Sequence, residues 1–372
     1  GYFIDTRQMQ VSWPADKCAA LATLLDDWLL HRTHRTPSEI AKLLGLLRHG
    51  AYLCPLGEFL SIRLQLTLST AIRRAGKSAL HSKPWWNASK IHLDESLYSS
   101  DLLLLAQSLQ PTTNALPSVW SRPIALLIPR EPTCVILSDA AYSGLGGWSP
   151  TLLFMWRLTR AELIAAGFDM RAIESEGREA SRTASDTEAL HINVLEFVVI
   201  IVNIWFTILC IRRDPTKSGG HIVSVLADNT SALSWFRHAS RSHRPVVRNL
   251  AFLCHCLIIF SQTSDYATFT GVHIPGKDNC EADALSHPEL FPTMGSAIAC
   301  FSRLQTCRAF LPPFGLLSTI ARAISSPEIG ASFVSETITL LTLAPAILPI
   351  GVNGMPLWSG FSKRSHRGNR SR

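Results

Sequence analysis

The chain has 372 residues, 47% hydrophobic and 17% charged. That is enough apolar material for a sizeable core, and it excludes wholesale disorder. A formal net charge of +7 and a pI of about 9.0 point to a polyanionic partner, nucleic acid ahead of a membrane surface.

The length suggests two or three domains. The opening segment "GYFIDTRQMQVSWP" has no basic stretch leading into an apolar one, so it does not read as a secretion signal. It also lacks an initiating Met and reads as the interior of a longer chain. Residues 1–80 read as mainly helical. "DKCAALATLLDDWLL" and "PSEIAKLLGLLRHGAYLC" carry apolar residues three and four apart, and Pro37 marks a helix start. Residues 81–132, with "KPWW", "SVWSRP" and "IPREP", read as a proline-punctuated linker.

The rhythm changes at Thr133. "TCVILSDAAYSGLGGWSP" predicts a strand, a glycine-rich turn and a second strand, and "LLFMWRL" predicts a third. Residues 159–190 are polar and irregular and read as an insert. "HINVLEFVVIIVNIWFTILCI", from His191 to Ile211, predicts a very apolar helix. "HIVSVLAD" follows as a strand, "NTSALSWFRHAS" and "RPVVRNLAFLCHCLIIFSQ" as helices, "YATFTGVHIPG" as a strand and "NCEADALSH" as a short last helix. This order implies an α/β sheet covered by helices. Residues 293–372 are apolar and proline-punctuated and stay unassigned. The last ten residues hold five Lys/Arg and read as a solvated tail or a nonspecific phosphate-binding one.

Four acids border this apolar framework. Asp139 follows "CVILS", Glu196 lies in the first turn of the apolar helix, Asp228 ends "IVSVLA" and Asp283 sits in the last helix. Singly, each has a structural explanation. Asp139 suits a turn, Glu196 a capping box with Asn193, Asp228 an edge or cap position, and Asp283 the positive end of a helix. Together, strand ends and helix first turns of one sheet can converge at a single edge. Clustered carboxylates raise one another's pKa unless cations neutralise them. An all-oxygen cluster suits Mg²⁺ or Mn²⁺, and two such ions about 4 Å apart clamp both oxygens of a phosphodiester displacement. The nine cysteines, without a CxxC pair, read as free thiols of a reducing intracellular compartment, cytoplasmic or nuclear. A zinc site from Cys254, Cys256, His273 and Cys280 is the alternative, at a spacing that matches no standard pattern.

"SDAAYSGLGGW", "INVLEF", "ADNTSALSW" and "IPGKDNCEADALSH" resemble, in that order, the four active-site blocks of ribonuclease H domains in retroelement reverse transcriptases. "GKDNCEADALSH" is the most specific and is similar to the G-K-x-N-x-x-A-D-A-L-S-R signature of retrotransposon polyproteins, with His287 where Arg is usual. "HINVLEF" points to the DIRS-like group. Upstream, "GYFIDTRQMQVSWPADK" and "SEIAKLLGLLRHGAYLCPLGEFL" resemble the palm end, thumb and connection of those polymerases, so the resemblance covers about residues 1–292. It implies a ribonuclease H-like mixed five-stranded sheet over 133–292. It also implies two-metal hydrolysis of the RNA strand of RNA–DNA hybrids, leaving 5′-phosphate and 3′-hydroxyl ends. Asp139, Glu196, Asp228 and Asp283 would carry two Mg²⁺ or Mn²⁺ ions, and Asn279 would cap the last helix and hold the loop before Asp283. His273 stands nearest to the loop histidine of cellular ribonucleases H, or is a plain strand-end residue. The paired aspartates after an aromatic residue, the metal-binding heart of a polymerase palm, do not occur, so polymerisation would need a domain upstream.

Arg237, Arg241, Arg244 and Arg248 in "WFRHASRSHRPVVR", with Asn229, are the expected nucleic-acid contacts, the alternative being a solvated loop. Trp148 and Trp235 face substrate or are buried on the sheet. Val194–Ile211 approaches membrane-spanning length, but would carry Glu196 and Asn203, and a central acid costs about 2.5–3.5 kcal/mol. The matching blocks on both sides argue for a packed helix and against a membrane partner. A catalytically inactive binding module of the same fold and a membrane-associated protein are the rival readings.

Overall fold

The computed structural model describes residues 1–30, 33–93, 102–103, 105–106, 109, 120–128, 130–170, 192–213, 220–238, 245–264 and 267–326. The N-terminal part holds β1 (Phe3–Asp5), β2 (Gln10–Ser12), α1 (Ala15–Leu30), β3 (His34–Arg35), α2 (Pro37–Ala51), α3 (Pro55–Ala75), α4 (Lys83–Ala88) and β4 (Ile91–His92). It is mainly helical, as its periodicity predicts. The α2 helix starts on a capping box: Thr36 Oγ1 accepts from the Glu39 amide, and the Glu39 carboxylate accepts from the Thr36 amide, with Pro37 at the first helical position.

The segment expected to be a linker contains structure. The β4 strand pairs with β3, and β5 (Ser121–Pro123) pairs with β2 to complete a three-stranded sheet in the order β1-β2-β5. Trp120, just before β5, anchors it. Its ring stacks on Trp13 with centroids 5.1 Å apart and lies against the bare Cα of Gly50 in α2.

The second part is a mixed α/β unit. An antiparallel meander, β6 (Cys134–Ala141), β7 (Gly144–Ser149) and β8 (Phe154–Thr159), is followed by α5 (Arg160–Ala165) and α6 (Ile192–Arg213). Then come β9 (His221–Ala227), α7 (Thr230–His238), α8 (Pro245–Ser264), β10 (Ala267–His273) and α9 (Cys280–Ser286). The chain continues through α10 (Met294–Cys300), β11 (Arg308–Phe310) and α11 (Phe314–Ser325). The sheet order is β10-β9-β6-β7-β8-β11, with β9 parallel to β6, β10 parallel to β9 and β11 parallel to β8. Among the described residues the sheet thus has six strands where five were expected. The sixth comes from the region beyond 292, so that boundary does not bound the sheet. Most of the expected 159–190 insert lies outside the described residues, but its start forms α5, opened by a Thr159–Glu162 capping box. The basic tail also lies outside the described residues.

Side-chain alternation gives the sheet two buried faces. Ile136, Phe154, Trp156, Val223 and Val225 join the larger core with α6 and α8. Leu137, Trp148, Met155 and Ala309 pack with Leu285 of α9 and Ala297 of α10. The α6 helix is long and apolar enough to cross a membrane, yet 94% of its most apolar 18-residue window is buried inside the protein. Its one central amide is fully matched: Asn203 Nδ2 donates to the Leu137 carbonyl at 2.7 Å, and Oδ1 accepts from Trp156 Nε1 at 2.6 Å. That residue ties the helix to two strands of the sheet.

The glycines of "SGLGGW" are strand residues where a glycine-rich turn was predicted, and the turn is Tyr142 and Ser143. Gly146 and Gly147 point to opposite faces. A Cβ on Gly146 would meet the Leu285 carbonyl carbon and the Ser286 amide at 2.7 Å, and one on Gly147 would meet Asn203 and Trp156. Bare Cα atoms therefore let α9 seat on one face and the Asn203 clamp form on the other. The two parts of the chain meet on α8: Arg122 of β5 donates to Gln262 Oε1 at 2.6 and 3.2 Å and to the Tyr52 carbonyl at 3.3 Å.

Candidate metal centre

The parallel pairing of β6 with β9 ends at Leu137 and Leu226. Beyond it β6 runs on beside β7, while β9 stops at Ala227, so the carboxyl ends of two adjacent parallel strands part. Ligand crevices of open α/β sheets form at such places. Asp139 lies inside β6 on the α9 side and is buried, not in a turn. Asp228 follows β9 directly and is half-buried. Glu196 reaches the same edge from the second turn of α6, not the first as expected, and is only 5% exposed. Asp283, on α9, is exposed.

The fold gathers these acids into two groups that share Asp139. The ligand atoms of Asp139, Glu196 and Asp228 lie within 4.8 Å of one another, as do those of Asp139, Asp283 and His287. Either group can hold a metal ion. Burial raises the Glu196 carboxyl to about 9, and the charges of Asp139 and Asp228 add to it, while the Ala140 amide offsets part. Burial also raises Asp139 to about 6 despite a hydrogen bond from Ser286, with Asp228 and Asp283 pushing the same way. Asp228 is raised as well, chiefly by burial. Among the described residues, Glu196 Oε2 is buried without a hydrogen-bond partner. A buried carboxylate oxygen left unmatched beside two other carboxylates is costly unless a proton or a cation meets it. The set is all oxygen, which fits a hard divalent cation.

Three expectations change. Asn193 lies inside α6 and not at a cap position before it, and it accepts from Asn229 Nδ2 at 2.8 Å. Asn279 stands at the N-cap of α9, yet its side chain makes no cap bond there. Its Nδ2 donates to the Ser138 carbonyl at 2.9 Å and fastens α9 to β6 just where β9 leaves it. Asn229 caps α7 through the Ala232 amide at 3.0 Å.

Of the arginines, Arg237 is exposed and donates to the Gly271 carbonyl of β10. Arg248 is half-buried in α8, while Arg241 and Arg244 lie outside the described residues. His273 is the exposed last residue of β10 and faces Asp228 closely enough to act on its charge. Trp148 is buried, and Trp235 is half-buried with its ring edge-on to Phe197. Cys254 and Cys256 are buried in α8, where burial raises both thiols. Among the described residues, neither metal-holding group includes Cys254, Cys256, His273 or Cys280.

Sequence reasoning passed over two neighbours of Asp283. Ser286 Oγ donates to Asp139 Oδ2, and His287 Nδ1 lies 3.3 Å from Asp283 Oδ1. Their signal was present in "DALSH", where His replaces the usual Arg. Comparison with protein-family models, curated proteins and solved structures finds no match to this chain.

Proposed function

We propose that the chain is a ribonuclease H-type endonuclease, the C-terminal part of a retroelement reverse transcriptase of the DIRS-like group, that hydrolyses the RNA strand of RNA–DNA hybrids with two Mg²⁺ or Mn²⁺ ions. One observation carries the reading. Four acids dispersed from 139 to 283 come together at one sheet edge, in two groups that share Asp139. A mixed sheet covered by helices, with the four acids on β6, α6, just after β9 and on α9, is compatible with this reading.

Asp139, Glu196 and Asp228 would hold one cation and Asp139 with Asp283 the other. When bound, divalent ions neutralise these carboxylates, lower the pKa of water and stabilise the departing 3′ oxygen. The chain's own residues do the positioning. Asn279 fixes α9 against β6, and Ser286 holds the Asp139 carboxylate in place. The exposed Asp283 side leaves the edge open to a phosphodiester backbone. Basic residues near α7 would contact phosphates, and 2′-hydroxyls would identify the RNA strand.

The test is cleavage of an end-labelled RNA–DNA hybrid by the purified chain with Mg²⁺ or Mn²⁺, beside Asp139→Asn. RNA-strand cleavage lost in the variant supports the enzyme. Hybrid binding without cleavage by the folded chain replaces it with an inactive binding module.

A further inference from the structure

We infer that His287 supplies a nitrogen ligand at the Asp139–Asp283 cation position and makes that position favour a first-row transition dication, such as Mn²⁺, over Mg²⁺. This rests on the two-cation reading above.

The geometry around the ring carries it. Among the described residues, His287 Nδ1 meets oxygens: the Asp283 carbonyl at 2.9 Å, Ser286 Oγ at 2.9 Å and Asp283 Oδ1 at 3.3 Å. The single hydroxyl proton of Ser286 can serve Asp139 Oδ2 or the Asp283 carbonyl, and when it does Oγ turns a lone pair toward Nδ1. That leaves oxygen lone pairs facing Nδ1. The other ring nitrogen faces a carboxylate, with Nε2 lying 3.9 Å from Glu289 Oε1. Glu289 is in turn held by the Ser143 hydroxyl. A histidine with one nitrogen toward a carboxylate and the other toward a cluster of acids has the arrangement of a metal-ligating imidazole with its orienting partner. The site shares Asp139 with Glu196, whose buried Oε2 has no hydrogen-bond partner among the described residues and is open to a proton or a cation.

Ligand chemistry gives the selectivity. Mg²⁺ prefers oxygen and keeps its waters, whereas imidazole nitrogen binds transition ions better. One position would hold oxygen only, from Asp139, Glu196 and Asp228, and the other a mixed nitrogen and oxygen set.

The experiment is electron spin-echo envelope modulation of Mn²⁺ added to the full chain, with Mg²⁺ competition read in the same samples. Nitrogen modulation is expected in the wild type and in His273→Asn, and is expected to vanish in His287→Asn. The preference for Mn²⁺ over Mg²⁺ should fall about tenfold in His287→Asn and in Glu289→Gln. Bound Mn²⁺ without nitrogen modulation in the wild type overturns the inference with no variant needed, and leaves the cation site standing. Modulation unchanged in His287→Asn also overturns it and leaves His287 as the residue that closes the C-terminal end of α9. A folded wild-type chain that binds no Mn²⁺ removes the cation reading itself.

Discussion

Asn203 and Glu196 stand two turns apart on the same apolar helix and differ in how they are matched. Both ends of the Asn203 amide are satisfied, by Leu137 and by Trp156. Replacing it with Leu would leave Trp156 Nε1 without its acceptor in the core and remove the Nδ2 bond to the Leu137 carbonyl. That should cost about 2–4 kcal/mol, read as a lower urea midpoint with an unchanged slope. Glu196 is the reverse case. Its carboxyl rises from 4.5 to about 9 on folding, and Asp139 rises from 3.8 to about 6, both chiefly by burial. Across those windows the native chain holds protons that the unfolded chain has shed, so metal-free stability falls as pH rises. The fall is steepest between about 4.5 and 6, where both groups contribute, and continues to about 9. Melting curves in chelator from pH 4 to pH 9 should show it, and saturating Mn²⁺ should flatten it. Glu196→Gln should raise the metal-free melting temperature at pH 8 by several degrees and abolish most of the Mn²⁺-induced rise. The four acids were legible in the sequence because each sits in a distinctive block. The partners of Asn193, Asn229 and Asn279 were not, because a polar side chain at a helix start serves a local amide or a distant carbonyl equally well. Asn279 bonds to Ser138, 141 positions away.

The elements that carry the site were read from their patterns, and the misreadings have physical causes. Glycine marks turns in most strand-rich sequence, yet here Gly144, Gly146 and Gly147 lie in β7 beneath two helices. Adding a methyl at Gly146 drives it into the backbone at Leu285 and Ser286, which must shift together with Asp283 on the same helix. Gly146→Ala should therefore cost about 1–3 kcal/mol and weaken Mn²⁺ binding, checked by denaturation and calorimetric titration on the same sample. The small N-terminal sheet and β11 escaped notice because strands of two or three residues are too short to display a period of two. In α11 the buried Leu316, Leu317, Ile320, Ala323 and Ile324 do follow helical spacing, but Pro312 and Pro313 directly before it made the region read as broken chain. Those prolines end the connection from β11 and open the helix, with Pro313 at its N-cap.

On the scale of the whole molecule, two contacts join regions that the sequence presents as separate. Arg122 links the N-terminal sheet to α8 through Gln262, and Asn249 of α8 donates to the Ala323 and Ser326 carbonyls at 3.0 and 2.7 Å. The α8 helix is thus clasped from both ends of the chain. Arg122→Ala should lower the melting temperature by a few degrees, because Gln262 loses its charged partner in a part-buried setting. Shortening the chain to end at Pro292 should be more severe. It removes α11 from α8 and uncovers the apolar face of Leu137, Trp148 and Met155, giving a broad, non-cooperative melt. The β11 strand also has a consequence in time. Its three residues pair with Phe154–Trp156, more than 150 positions earlier in the chain. So distant a contact is slow to close during folding, and until it does β8 offers an unpaired edge to any neighbouring chain. Refolding yield should therefore drop steeply with protein concentration, and more steeply than recovery of the assembled molecule, in which Phe154–Trp156 are already paired, held at the same concentration.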